Sequence, residues 1–126
     1  MAVRVLIVED SRTIRSFIRR AVEALHAEVV GEAENGRDGL QSFMELRPDV
    51  TLLDINMPFM NGKDVLKRIK KEDPGACVVM LTTQNSANVV QECIQEGLSN
   101  YILKDISMDE LIEELRGTID GFNLKK

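Results

Sequence analysis

With 126 residues, 44% of them hydrophobic and 29% charged, the chain carries the apolar material for one core and falls in the roughly 100–200-residue range of a single domain. A formal net charge of −5 at pH 7 excludes an unspecific electrostatic hold on nucleic acid or on an anionic membrane surface. Apolar runs reach only five or six residues, far short of the ~20 that span a bilayer.

The N-terminus enters a strand pattern directly, with no signal peptide, so a cytoplasmic protein is expected. Val3–Val8 reads as a buried strand that ends at Glu9-Asp10. Ser11 stands in a helix-cap position ahead of Ile14, Phe17, Ile18, Ala21, Val22 and Leu25, spaced along one helical face. Val29-Val30 form the core of a short strand, mixed with Glu28, Glu32 and Glu34 as suits a sheet edge. Leu40, Phe43 and Met44 mark a second helix after Asn35-Gly36.

Val50–Leu53 is a third strand, followed by Asp54; Pro58 stops it and turns the chain. A helix is expected from about Gly62 to Lys71, carrying Val65, Leu66 and Ile69 and stopping before Pro74-Gly75. Cys77–Leu81 is a strand that delivers Thr82. A helix opening near Ser86 carries Val90, Cys93 and Ile94 and ends at Gly97. Tyr101–Leu103 is a short strand before Lys104. Ser107 and Glu110 have the spacing of a capping box ahead of Leu111, Ile112, Leu115 and Ile119, and the chain from Gly121 to Lys126 reads as a short frayed tail. Cys77 and Cys93 lack paired spacing and read as core filler. No repeat, low-complexity tract or linker divides the chain, so one domain over 1–126 is expected.

Five strands alternating with five helices predict a doubly wound α/β fold: a five-stranded parallel sheet, right-handed crossovers and helices on both faces. The central strands are apolar on both faces, as a covered sheet requires. In such a sheet the carboxyl ends of the strands meet along one edge, where ligands bind. Glu9, Asp10, Asp54, Thr82 and Lys104 all follow strand runs and converge there.

Asp54 is then a candidate nucleophile toward phosphorus, giving an aspartyl phosphate. Two anions repel, so the site has to supply positive charge. Glu9 and Asp10 can recruit Mg²⁺, with Mn²⁺ as a substitute, and Asn56 can add its backbone carbonyl to an octahedral oxygen set. Lys104 supplies a second positive charge and Thr82 a hydroxyl donor, which together stabilise a transferring phosphoryl group by position and electrostatics. Each residue alone is more often a turn, loop or surface residue; the ordered set at successive strand ends carries the reading.

On these residues the chain resembles the receiver domain of bacterial two-component signalling over essentially its whole length. The resemblance lies in Val5-Leu6-Ile7-Val8-Glu9-Asp10-Ser11, in Asp54-Ile55-Asn56-Met57-Pro58 with Asn61-Gly62, in Leu81-Thr82-Thr83 and in Tyr101-Ile102-Leu103-Lys104. It implies the flavodoxin-like strand order 2-1-3-4-5. It implies Asp54 as phosphoacceptor, Glu9 and Asp10 as metal carboxylates, Thr82 and Tyr101 as a coupled switch pair, and Lys104 as the family's lysine. Asn56 and Gln84 match positions that border the acyl phosphate and tune its lifetime. Where the family usually has a proline, often cis, after the lysine, this chain has Asp105; a non-proline cis bond costs about 3 kcal/mol, so a trans bond is expected.

The implied function is a phosphorylation-activated signalling protein rather than an enzyme acting on other substrates. Its phosphoryl donor would be a histidine kinase or phosphotransfer protein, and its closest likeness is to the stand-alone chemotaxis members. The implied output surface is the fourth helix, fifth strand and fifth helix, here including Asn88, Gln91, Gln95, Tyr101 and Glu113. The implied target is a protein such as the flagellar motor switch, with a phosphatase as a further partner, and a monomer is expected. Arg12, Arg15 and Arg19 are a docking face for an acidic donor or a solvated basic face, the second being commoner. Phe59 and Met60 are a docking patch or fold down on the sheet edge.

Other readings are a receiver of a different pathway, as a phosphorelay intermediate or a regulator whose effector domain is absent, and a flavodoxin-like cofactor binder. Glu9-Asp10 would repel a phosphate cradled in the first loop of the latter. A phosphatase with an aspartyl nucleophile normally has a second acid two residues on, where this chain has Asn56. Neither GxxxxGK[ST] nor GxGxxG is present, which leaves a nucleotide enzyme unsupported.

Overall fold

Strands and helices alternate as β1 (Arg4–Val8), α1 (Arg12–Ala24), β2 (Glu28–Ala33), α2 (Gly36–Leu46), β3 (Val50–Asp54), α3 (Gly62–Glu72), β4 (Cys77–Thr82), α4 (Ala87–Gln95), β5 (Asn100–Leu103) and α5 (Met108–Leu124). The computed structural model describes residues 2–55, 57, 59–82 and 87–124, and for 87–90 and 123–124 the backbone. The strands form one parallel sheet in the order β2-β1-β3-β4-β5, the predicted doubly wound arrangement.

Pleating divides the core between two faces. Val5, Ile7, Leu52, Val79, Leu81 and Ile102 point toward α1 and α5, meeting Ile18, Val22, Leu111, Leu115 and Ile119. Leu6, Val8, Leu53, Val78 and Met80 point to the other side, meeting Phe43 of α2, Val65, Leu66 and Ile69 of α3 and Cys93 of α4. Full burial of side chains such as Leu6, Leu52, Leu53 and Leu66 stabilises by roughly 1.5–3 kcal/mol each. Both thiols are free, as expected of core filler.

The helix starts follow local side-chain chemistry. Ser11 accepts from the Ile14 amide at 3.3 Å, Asn35 from Asp38 at 2.8 Å and Asn61 from Asp64 at 3.0 Å. The capping box of α5 is reciprocal: the Glu110 amide donates to Ser107 Oγ at 3.1 Å, and the Ser107 amide to Glu110 Oε1 at 3.3 Å. α4 ends at Gln95, and Gly97 just beyond it, with a φ of 95°, lets the Leu98 amide reach back to the Cys93 carbonyl at 3.1 Å. Ser86, the expected opening of α4, lies outside the described residues.

One expectation is corrected. The stretch from Gly121 read as a frayed tail, yet α5 runs to Leu124. Phe122 continues the stripe of Leu115 and Ile119 and packs on the α1–α5 core. That burial outweighs the helix cost of about 1 kcal/mol carried by each of Gly117 and Gly121.

β1 and β2 carry an irregularity that bears on the site. Val5 pairs with Val29 but Leu6 with Gly31, so Val30 is an extra residue in the edge strand, and Ile7 then pairs with Glu32. Among the described residues no helix is long and apolar enough to cross a membrane.

Candidate phosphoryl-transfer site

The parallel register carries the predicted polar residues to one edge. Asp54 and Thr82 are the last residues of β3 and β4, Glu9 and Asp10 follow β1, and Lys104 follows β5. Asp54 lies beside Leu81, and Thr82 beside Leu103. Glu9, Asp54 and Thr82 are buried while Asp10 is exposed. Glu9, Asp10 and Asp54 each offer one carboxylate oxygen within 4.8 Å of the others.

Lys104 reaches across the edge from β5. Its backbone amide donates to the Thr82 carbonyl at 3.0 Å. Its ammonium pairs with Glu9 Oε1 and lies 3.0 Å from Asp54 Oδ1. Glu9 is held further by the Ser11 amide, which donates to Oε2 at 2.9 Å, and by its own amide on the Ala33 carbonyl at 2.9 Å.

Burial pushes the Glu9 carboxyl above its ordinary value. Lys104 and the Ser11 amide pull it down, while a hydrogen bond with Asp10 and the charge of Asp54 push it up with burial. Asp10 is held below the usual carboxylate range, first by its hydrogen bond with Glu9. Burial opposes the charge of Lys104, but its bonds to Glu9 and Asp54 outweigh that and hold the ammonium above the ordinary lysine value. The hard carboxylate oxygens gathered there fit a hard divalent ion such as Mg²⁺.

Tyr101 pairs with Met80 on the neighbouring strand, which puts it on the sheet face of Thr82, two residues further along β4. Its side chain points outward, 40% exposed. Asn56 and Gln84 lie outside the described residues, as does the side chain of Asn88; Gln91, Gln95 and Glu113 of the expected output surface are exposed. No cis peptide bond is found among the described residues, so Lys104–Asp105 is trans as expected.

Geometry separates the members of the two sets that the sequence left open. Phe59 is 76% exposed, with the Arg37 guanidinium 5.0 Å from its ring centre, whereas Met60 packs into the core beneath. Of the helix arginines, Arg12 is exposed, but Arg19 pairs with Glu32 at 2.6 Å and Glu23 at 3.6 Å. Arg15 turns toward the site: Nη1 donates to the Glu9 carbonyl at 2.8 Å and the Asp10 carbonyl at 3.3 Å, and Nε lies 3.3 Å from Glu32. Sequence reasoning missed this role, since nothing in the helical pattern shows that β2 brings Glu32 alongside. A cavity of about 690 Å³ lies elsewhere, lined by residues such as Lys70, Cys77, Asn100 and Phe122, and holds none of the clustered groups.

The family model for the response regulator receiver domain matches residues 5–116. The chemotaxis protein CheY of Thermotoga maritima is 36% identical over 115 residues, covering 91% of this chain and 96% of that protein. The response regulator protein VraR of Staphylococcus saprophyticus is 34% identical over 122 residues, covering 96% of this chain and 58% of the relative. The solved response regulator domain of Thermotoga maritima CheB aligns with a TM-score of 0.88 at 31% identity, covering 98% of each chain. Matched from its first strand into its last helix, the chain belongs to the response regulator receiver family of two-component signalling.

Proposed function

We propose that this chain is a phosphorylation-activated signalling protein, one receiver domain over 1–126, in which Asp54 accepts a phosphoryl group from the phosphohistidine of a histidine kinase or phosphotransfer protein. The observation that carries the reading is the Lys104 ammonium 3.0 Å from Asp54 Oδ1, in one cleft with the carboxylates of Glu9 and Asp10. An Asp54 carboxylate oxygen attacks phosphorus, the phosphorus–nitrogen bond breaks and the leaving imidazole nitrogen takes up a proton. Glu9, Asp10 and Asp54 would hold Mg²⁺, with the Asn56 carbonyl as a further oxygen. When bound, that ion supplies positive charge to the phosphoryl oxygens. Lys104 neutralises Asp54 and steadies the product, and Thr82 donates its hydroxyl to the new phosphoryl oxygens. The protein assists its own phosphorylation and dephosphorylation and acts on no other substrate.

Incubation with acetyl phosphate and Mg²⁺ should add one phosphoryl mass, and Asp54→Ala should abolish it. Equal labelling of the variant overturns the assignment.

The output would run through Thr82 and Tyr101. Drawing the Thr82 hydroxyl toward phosphorylated Asp54 vacates space on the face that Tyr101 shares, and an outward ring can turn into it, reshaping the α4-β5-α5 surface. The outward ring seen here suits the unphosphorylated state. NMR of the chain with and without beryllofluoride should move amides at Asp54, Thr82 and Tyr101 together; shifts confined to Asp54 would sink the coupling.

Near-complete coverage of a chemotaxis relative favours a cytoplasmic messenger whose target is a protein such as the flagellar motor switch. A receiver of another pathway is the second reading, favoured by the match to VraR, of which this chain spans 58%. Phosphorylation-dependent binding to a motor-switch protein separates the two.

A further inference from the structure

We propose that Arg15 is a positioning residue for the divalent-cation site, bracing the Glu9-Asp10 turn through its main chain so that both carboxylates face Asp54; the inference rests on the cation site proposed above. One guanidinium nitrogen donates to two successive carbonyls, Glu9 at 2.8 Å and Asp10 at 3.3 Å. The other end of the fork is anchored to Glu32 of the edge strand, with Arg15 Nε 3.3 Å from Glu32 Oε1. The Arg15 side chain is only 15% exposed, so these charge-assisted bonds are partly shielded from water.

The brace acts on the backbone of the residues that bring the carboxylates in. Around it the turn is fixed at its margins: the Glu9 amide on Ala33, the Ser11 amide on the Glu9 carboxylate, and the Arg15 amide on the Ser11 carbonyl, each at 2.9 Å. The Glu9 and Asp10 carbonyls are the acceptors that Arg15 adds to this frame. A planar, permanently charged fork serves the carbonyls and Glu32 from separate nitrogens, whereas an ammonium has only one nitrogen to share among them. Without it, solvent has to serve the carbonyls and the Asp10 side chain gains freedom in the exposed half of the cleft.

Positioning and charge make opposite predictions here. Arg15 is a cation close to an acidic cleft, so its removal should tighten binding of a divalent ion if only Coulomb attraction mattered. Removal of a brace should weaken it. Second-layer partners of metal ligands typically change affinity by about 10–100-fold.

The test is calorimetric titration of Mg²⁺ into the unphosphorylated full chain. Arg15→Ala should weaken binding by about tenfold, with Arg15→Lys in between, and the amide shifts of Asp10 and Asp54 on adding Mg²⁺ should shrink together. Should Arg15→Ala not fold, Arg15→Lys and Arg15→Gln carry the same comparison. A merely structural role would lower the melting temperature without Mg²⁺ and leave the dissociation constant in place, and that result overturns the proposal. Asp10→Asn is measured alongside. Unchanged or tighter binding in Arg15→Ala with weakened binding in Asp10→Asn overturns the role of Arg15 alone. Unchanged binding in both overturns the cation site and this inference with it.

Discussion

Gly62 is pressed against the main chain of Asp54: a Cβ at position 62 would lie 2.2 Å from the Asp54 carbonyl oxygen. The Gly62 amide also donates to the Ile55 carbonyl at 2.9 Å, so the first residue of α3 clamps the end of β3. Gly62→Ala should cost about 1–3 kcal/mol, the usual scale of overpacking. Gly117→Ala is the matched control, because nothing lies within 4 Å of a Cβ there, and helix propensity predicts a gain of about 1 kcal/mol. Urea denaturation reads both; midpoints moving in the same direction would contradict this contrast.

Mg²⁺ should raise the melting temperature of the unphosphorylated chain, because carboxylates gathered within 4.8 Å exist as a site only in the folded state. At a hundredfold excess over Kd the stabilisation is about 2.7 kcal/mol. Asp10→Asn should flatten the response, and a variant curve that tracks the native one would remove Asp10 from the site.

Phe59 holds a φ of 73°, in the left-handed region that a bulky side chain rarely adopts. Such strain costs about 1–3 kcal/mol, more than the roughly 0.5–1 kcal/mol of an exposed cation–π contact with Arg37. Phe59→Asn should therefore raise the denaturation midpoint. A lower midpoint would mean that the contact outweighs the strain.

Burial pushes the Cys93 thiol above its ordinary value of 9.0. The folded state disfavours the thiolate, so this group's stabilising contribution is complete below about pH 9 and is lost as pH rises through the raised value. Cys93 is 1% exposed while Cys77 is half-buried. Iodoacetamide at pH 8 should label Cys77 first, and Cys77→Ser should leave the native chain almost unlabelled. Rapid alkylation of Cys93 would contradict the packing.

Much of the fold can be read from the sequence because period and punctuation agree. The stripe from Ile14 to Leu25 follows its cap Ser11, and the apolar strand runs end on the residues that the parallel sheet gathers at one edge. The acidic cluster was legible for the same reason: β1 and β3 are neighbours, so their ends meet. The end of α5 was not, since Gly117 and Gly121 signal helix breaking and only the packed core reveals what Phe122 buries. Phe59 and Met60 were undecided because a local backbone angle, not hydrophobicity, sends one out and the other in. Arg15 was read among the surface charges because its partners lie on another strand and on the main chain.

Val30 has a consequence that its place at the rim of the sheet conceals. Residues in register on parallel strands project to the same side, so each single-residue slip reverses the parity of everything that follows. With Val30 in place, Glu32 stands beside Ile7, whose side chain faces α1. Taking Val30 into the ladder, paired with Leu6, would instead bring Glu32 beside Val8, on the side of α2 and α3, out of reach of Arg15. Irregularities at an edge strand are ordinarily among the most forgiving features of a domain. Here the bulge decides which face Glu32 takes, and so bears on the acidic cleft although β2 contributes none of its clustered carboxylates.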